Sequence, residues 1–115
     1  MEKFMYLFRG GDFHSGKQSP EEMQAHMQKF GKWMGELAQK GTLVGGDPLH
    51  KEGMQVVGTK KTVTDGPFIE AKELVGGYVI VNAKDIHDAV EISKGCPILD
   101  VDGKIEVRPV MNVNM

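Results

Sequence analysis

The chain is poor in the residues that announce chemistry. It has a single cysteine, Cys96, in 115 residues. No disulfide can form within the chain, and a reducing, cytoplasmic setting is expected. Lysine and arginine form no run, and the formal net charge is −2. That leaves no electrostatic footprint for direct nucleic-acid binding. No apolar run approaches the ~20 residues that cross a bilayer. The apolar stretch near the N-terminus, Phe4 to Phe8, is too short for the core of a signal peptide and is flanked by Glu2 and Arg9. A soluble protein without membrane contact is expected. Also missing are a G-x-x-x-x-G-K-[ST] loop, a G-x-G-x-x-G after a strand, an H-E-x-x-H and a C-x-x-C. No cofactor is therefore expected. The four histidines, His14, His26, His50 and His87, do not pair at ligand spacing. Asp12/His14 and Glu22/His26 are two-ligand fragments of a kind that recurs by accident, so no metal is expected. Asp100 and Asp102 belong to a turn, because the rest of a calcium loop is absent.

What is plentiful is glycine and methionine, fifteen and eight residues. Glycine pairs at 10–11, 45–46 and 76–77 flank the expected strands. They predict tight turns, bulges or close backbone approach. Methionine fills uneven gaps and flexible interfaces. Hydrophobic residues make up 40% and charged residues 26%, as in an ordinary globular protein. The length fits one domain spanning residues 1–115.

Phe4 to Phe8 predicts a strand that is apolar on both faces, with Phe4, Tyr6 and Phe8 on one and Met5 and Leu7 on the other. Ser19-Pro20-Glu21-Glu22 predicts a helix start: serine caps, proline takes the first position and Glu22 closes a capping box. Met23, Met27, Phe30, Met34 and Leu37 then form an apolar stripe, widened by Trp33. Lys40 and Gly41 end the helix. Thr42 to Val44 is a short strand stopped by Gly45-Gly46-Asp47-Pro48. Met54 to Gly58 and Lys61 to Thr64 predict a hairpin around Thr59-Lys60. Leu74 to Asn82 is another strand apolar on both faces. Asp85, helped by Asp88, caps a second helix whose Ile86, Ala89, Val90 and Ser93 face the core. Ile105 to Val110 alternates and tolerates Pro109, which predicts an edge strand.

The order is βαββαβ with an added hairpin. That is an α+β chain with an antiparallel sheet of the ferredoxin-like pattern. The two strands that are apolar on both faces belong in the middle of such a sheet. Two helices cover only one face, and a bare apolar face is rarely left in water. A second copy, packed sheet to sheet about a two-fold axis as in an α+β barrel, is the expected partner.

The segment TDGPFIEAKELVGGY carries the candidate site. Asp65-Gly66-Pro67-Phe68 reads fully as a turn anchored by an aromatic residue. Glu70, Lys72 and Glu73 do not. They line a cleft beside the sheet, where burial shifts their pKa values, or they form a solvated face. Both readings are open at this level. Arg9 joins Asp65, Glu70, Lys72 and Glu73 as a candidate ligand-binding residue. Cys96 follows a helix C-terminus, where the dipole disfavours a thiolate, so it reads as a structural thiol. His26 sits beside the apolar stripe, where it either borders a cleft and titrates near neutral pH or, with no partner visible in the sequence, is a partly exposed helix residue without a role, the reading favoured here.

The same segment is similar to the D-G-P-F-A-E-T-K-E signature of the DGPF, or YCII-related, family. Asp65, Gly66, Pro67, Phe68, Glu70, Lys72 and Glu73 are kept. Ile69 stands where alanine is usual and Ala71 where threonine is usual. FMYLFRGG, SPEEMQAHMQKFGKWMGELAQKGTLVGGDPL and GCPILDVDGKIEVRPVM extend the likeness over nearly the whole chain. The resemblance implies a ferredoxin-like dimer and leaves the reaction unnamed. Some relatives are joined to sigma factors of transcription, so a non-catalytic dimerisation or interaction module stands beside a small-molecule-binding protein or enzyme. In the wider YCII superfamily a histidine of the first helix and an aspartate before a proline after the second helix are suggested as a catalytic pair. By spacing these positions fall on Phe30 and Cys96. Neither side chain can do that acid–base work at neutral pH, so the resemblance directs attention to the Asp65–Glu73 segment.

Overall fold

A computed structural model describes residues 1–10, 19–65 and 74–113. Strands β1 (Glu2–Gly10), β2 (Leu43–Pro48), β5 (Val75–Ala83) and β6 (Gly103–Pro109) form one antiparallel sheet in the order β2-β5-β1-β6. Helix α1 (Pro20–Gln39) joins β1 to β2, and α2 (Ile86–Ser93) precedes β6 by way of a 3₁₀ turn at Pro97–Val101. Strands β3 (Met54–Val57) and β4 (Thr62–Asp65) form a separate two-stranded hairpin between β2 and β5. This is the ferredoxin-like βαββαβ arrangement with an added hairpin, and β1 and β5 are its central strands.

The helix ends form as their residues dictate. The Glu22 N–H donates to Ser19 Oγ at 3.1 Å, and Ser19 Oγ returns to Glu22 Oε1 at 3.2 Å. Pro20 follows the cap, where its missing N–H costs nothing. Gly41, just past the C-cap Lys40, has φ +73°, a conformation that glycine adopts without strain. Asp85 caps α2 by accepting from the Asp88 N–H at 2.8 Å, and Asp88 accepts from the Lys84 N–H at 2.9 Å.

The core lies between the helices and one face of the sheet. Phe4, Tyr6 and Phe8 of β1 and Val79, Val81 and Ala83 of β5 are buried there. Phe8, Phe30 and Trp33 meet edge to face, with centroids 5.4 to 6.5 Å apart, and Trp33 stacks on Tyr6 at 6.3 Å. These contacts pin α1 across β1. The Tyr6 hydroxyl donates to the Ala89 carbonyl of α2, and burial raises its pKa well above the usual value.

Three local expectations need correction. On α1 the buried positions are His26, Trp33 and Leu37, with Phe30 and Met34 packed beside them, whereas Met23 and Met27 are exposed. The period is as expected, but the face is turned so that a histidine occupies an apolar position. On α2, Ala89 and Ser93 are buried and Ile92 packs on the core, while Ile86 and Val90 face outward. Finally, β2 does not stop at Gly45. It continues through Gly45-Gly46-Asp47-Pro48, after a register shift at Val44, with Gly46 opposite Val79 and Pro48 opposite Gly77.

Candidate functional site

The glycines of β2 and β5 let the backbones of these strands come unusually close. A Cβ on Gly46 would lie 2.5 Å from the Tyr78 carbonyl oxygen and 2.9 Å from Val79 Cα. One on Gly77 would lie 3.0 Å from the Asp47 carbonyl oxygen. Between β1 and β5 the register shifts after Phe8, which opposes Gly77, so that Arg9 opposes Val75 and Gly76 is the extra residue. A bulge bends and twists the strand that carries it.

Above this thin glycine surface, under the middle of α1, lies a cavity of about 220 Å³. Phe8, Phe30, Met27, Met34 and Ile98 give it apolar walls, with Gly46, Gly76 and Gly77 contributed by the strands. His26 also lines it and is only 7% exposed. Its ring lies 6.3 Å from that of Phe30. Burial pushes the imidazole pKa below its usual value; the Lys29 ammonium acts the same way, and the Asp100 carboxylate opposes them. Near neutral pH the ring is therefore uncharged, with one nitrogen able to donate and the other to accept.

The sequence-based candidates distribute differently. Arg9 alternates with Phe8 and so faces the other side of the sheet, where its Nε lies 3.4 Å from Glu106 Oε1. Asp65 ends β4 and is exposed. Neither lines the cavity. Glu70, Lys72 and Glu73, like Asp12 and His14, lie outside the described residues. Tyr78 alternates with the buried Val79, and its hydroxyl donates to Asp47 Oδ2 at 2.9 Å, which raises the phenol pKa. Among the described residues no cluster of three or more metal-binding side chains occurs, and no helix is long and apolar enough to cross a membrane.

His26 is the residue that sequence reasoning undervalued. A signal existed: 26, 30, 33 and 37 keep the helical spacing as well as 23, 27, 30 and 34 do. Phe30 and Cys96, the positions matched by spacing to the superfamily's suggested pair, are a partly buried aromatic and a buried thiol. One turn before Phe30 stands His26, and four residues beyond Cys96 stands Asp100, whose charge reaches that imidazole.

Burial pushes the Cys96 thiol up to about 12, with a backbone hydrogen bond from Ile98 acting in the other direction. A thiol so buried stays protonated and unreactive. Cys96 should resist maleimide at pH 7 in the folded protein. Cys96→Ala should leave ligand binding unchanged and lower stability by about 1 kcal/mol, read from urea unfolding.

Comparison with known proteins adds a family. The profile described as "YCII-related domain" matches residues 6–114. No curated protein matches at a significant level. Among solved structures, a 5-chloro-2-hydroxyhydroquinone dehydrochlorinase from Burkholderia phenoliruptrix AC1100, solved with 2,5-dihydroxybenzoquinone, is similar at 14% identity and TM-score 0.49. The match covers 96% of this chain and 95% of that one.

Proposed function

The chain belongs to the YCII-related family, and we propose that it binds a small, flat, largely apolar molecule carrying one ionisable hydroxyl in the cavity under α1. The observation that carries this reading is a neutral, buried histidine lining an otherwise apolar and aromatic cavity. A cavity of 150 Å³ lined by apolar side chains holds benzene, so about 220 Å³ accommodates a substituted ring. Ring faces and thioethers favour an aromatic guest. Among the described residues no lysine or arginine lines the cavity, and Asp47 lies at its wall. His26 can accept the hydroxyl proton as a hydrogen bond or take it outright, which is the first half of general-base chemistry.

The wall formed by Gly76 and Gly77 follows directly on the D-G-P-F segment that ends at Glu73. The reading therefore places the ligand where the signature returns to the sheet, with Glu70, Lys72 and Glu73 as candidates to complete the mouth. It favours a binding protein or enzyme over a purely structural module.

The test uses 4-nitrophenol, whose visible absorbance separates phenol from phenolate. Saturable binding should perturb the NMR signals of Phe8, His26, Phe30 and Met34, and His26→Leu should weaken it about tenfold, the worth of one hydrogen bond. Perturbations confined to other surfaces, or equal affinity in the variant, would refute the assignment.

A further inference from the structure

Two glycines stand inside α1, Gly31 and Gly35, one turn apart. After proline, glycine is the least favourable residue in a helix interior, because it gives up the most backbone freedom there. A glycine in such a place serves a close neighbour or a gap. Close neighbours are missing: among the described residues, a Cβ built on either would meet no atom within 4 Å. Both glycines are exposed. They differ in one respect, which is that Gly31 lines the cavity and Gly35 does not.

The lining of the cavity is graded from inside to outside. Phe8, Gly10, His26 and Ile98 are buried, whereas Met27, Gly31, Asp47 and Pro48 are exposed. The cavity therefore has a floor, where His26 stands, and a mouth between α1 and the end of β2. Along α1 the lining runs through Met27, Gly31 and Met34, spacings of four and three that share one side of a helix. The two methionines are long, unbranched and adaptable. Gly31 between them leaves a gap. From His26 to Gly31 is five residues, about 7.5 Å along the helix axis and about 140° around it.

We propose that, given a phenol-like ligand in this cavity as argued above, Gly31 decides which ring substituents the site admits. With the hydroxyl at His26, the far edge of the ring points along α1 toward the mouth. A substituent para to the hydroxyl then passes over the bare backbone at Gly31, with Met27 and Met34 closing on its sides. The ligand class is thus a phenol extended at the para position, not a compact ring enclosed on all sides. Filling the gap should make the helix more stable and the site less roomy, the opposition expected where a residue is kept for a ligand at the expense of the fold. A glycine kept for packing would lose stability when filled.

Gly31→Ala and Gly35→Ala should both raise the urea midpoint of unfolding. Binding should separate the two positions. Phenol and 4-propylphenol are titrated, by the NMR signals of Phe8 and Phe30, into wild-type protein, Gly31→Leu, Gly35→Leu and His26→Leu. Wild-type protein should bind 4-propylphenol more tightly than phenol, because the propyl chain covers apolar surface at the mouth. Gly31→Leu should weaken 4-propylphenol about tenfold and leave phenol within about twofold. Gly35→Leu should bind both like wild type, and His26→Leu should weaken both alike. Loss in His26→Leu with none in Gly31→Leu would overturn the role of Gly31 and leave the cavity assignment standing. Equal loss of both phenols in Gly31→Leu, or a Gly31→Ala protein less stable than wild type, would overturn it too and make Gly31 a packing residue. If neither phenol binds wild-type protein, the cavity assignment and the role of Gly31 fall together.

Discussion

Gly46→Val should cost the protein about 3 kcal/mol or prevent folding, while Gly45→Ala next to it should stay within ~0.5 kcal/mol of wild type. Both glycines belong to β2, an edge strand, where a β-branched residue would ordinarily be welcome. They differ in what a side chain would meet. A Cβ on Gly45 finds nothing within 4 Å. On Gly46 it would press on Tyr78 O at 2.5 Å, Val79 Cα at 2.9 Å and Val79 Cγ2 at 2.9 Å. Two of these atoms are backbone of a central strand, so no rotamer relieves the clash. Either β2 leaves β5 or β5 is pushed into the core. Urea unfolding of the two variants reads the difference, and the slope reports whether the change is in stability alone. The cavity should suffer with the fold, because Gly46, Gly77 and Pro48 form its wall. A Gly46→Val protein as stable as wild type would mean that the two strands are not packed this closely.

That contrast also shows where the sequence was legible. Paired glycines beside a strand announce close approach or a bulge, and both occur here. Which glycine is compressed, and whether the strand ends or continues, depends on a partner thirty residues away and is not written locally. Helix α1 was legible at both ends because its signals are local: Ser19, Pro20 and Glu22 at one, Lys40 and Gly41 at the other. Its inward face was not. Histidine counts as polar in any pattern, so pattern alone runs the stripe through Met23 and Met27 and leaves His26 outside it. Arg9 could have been placed correctly. Alternation puts it with Met5 and Leu7, opposite Phe8, so a strand already known to be two-faced assigned it to the open side. Its salt bridge to Glu106 suits a rim, not an apolar cavity. The charges at 70, 72 and 73 lie outside the described residues.

The second large effect is on the pH dependence of ligand binding, with His26 as its cause. Burial lowers the imidazole pKa below its ordinary 6.5 in the folded protein, and Lys29 adds to this against the opposing pull of Asp100. The unfolded chain therefore takes up a proton at His26 before the folded one does. Above pH 6.5 this contributes nothing to the pH dependence of stability. As pH falls below 6.5 the unfolded state gains protons first, and stability declines until the folded imidazole is itself protonated. His26→Leu should flatten that part of the stability profile. Binding of 4-nitrophenol should respond more sharply. The neutral ring accepts the hydroxyl hydrogen, whereas the protonated ring has no acceptor and carries an unwelcome charge among Phe8, Phe30 and Ile98. Affinity should fall about tenfold for each pH unit below the folded pKa of His26, because binding then requires the loss of one proton. It should fall again at higher pH, as the free phenol ionises and its anion must enter an apolar cavity. In His26→Leu the acid limb should vanish and the alkaline limb remain. His26→Gln separates shape from titration: it keeps a polar acceptor of similar reach and should bind at an affinity independent of pH on the acid side. An acid limb that persists in both variants would place the titrating group elsewhere, and His26 would then be a wall of the cavity without a part in its chemistry.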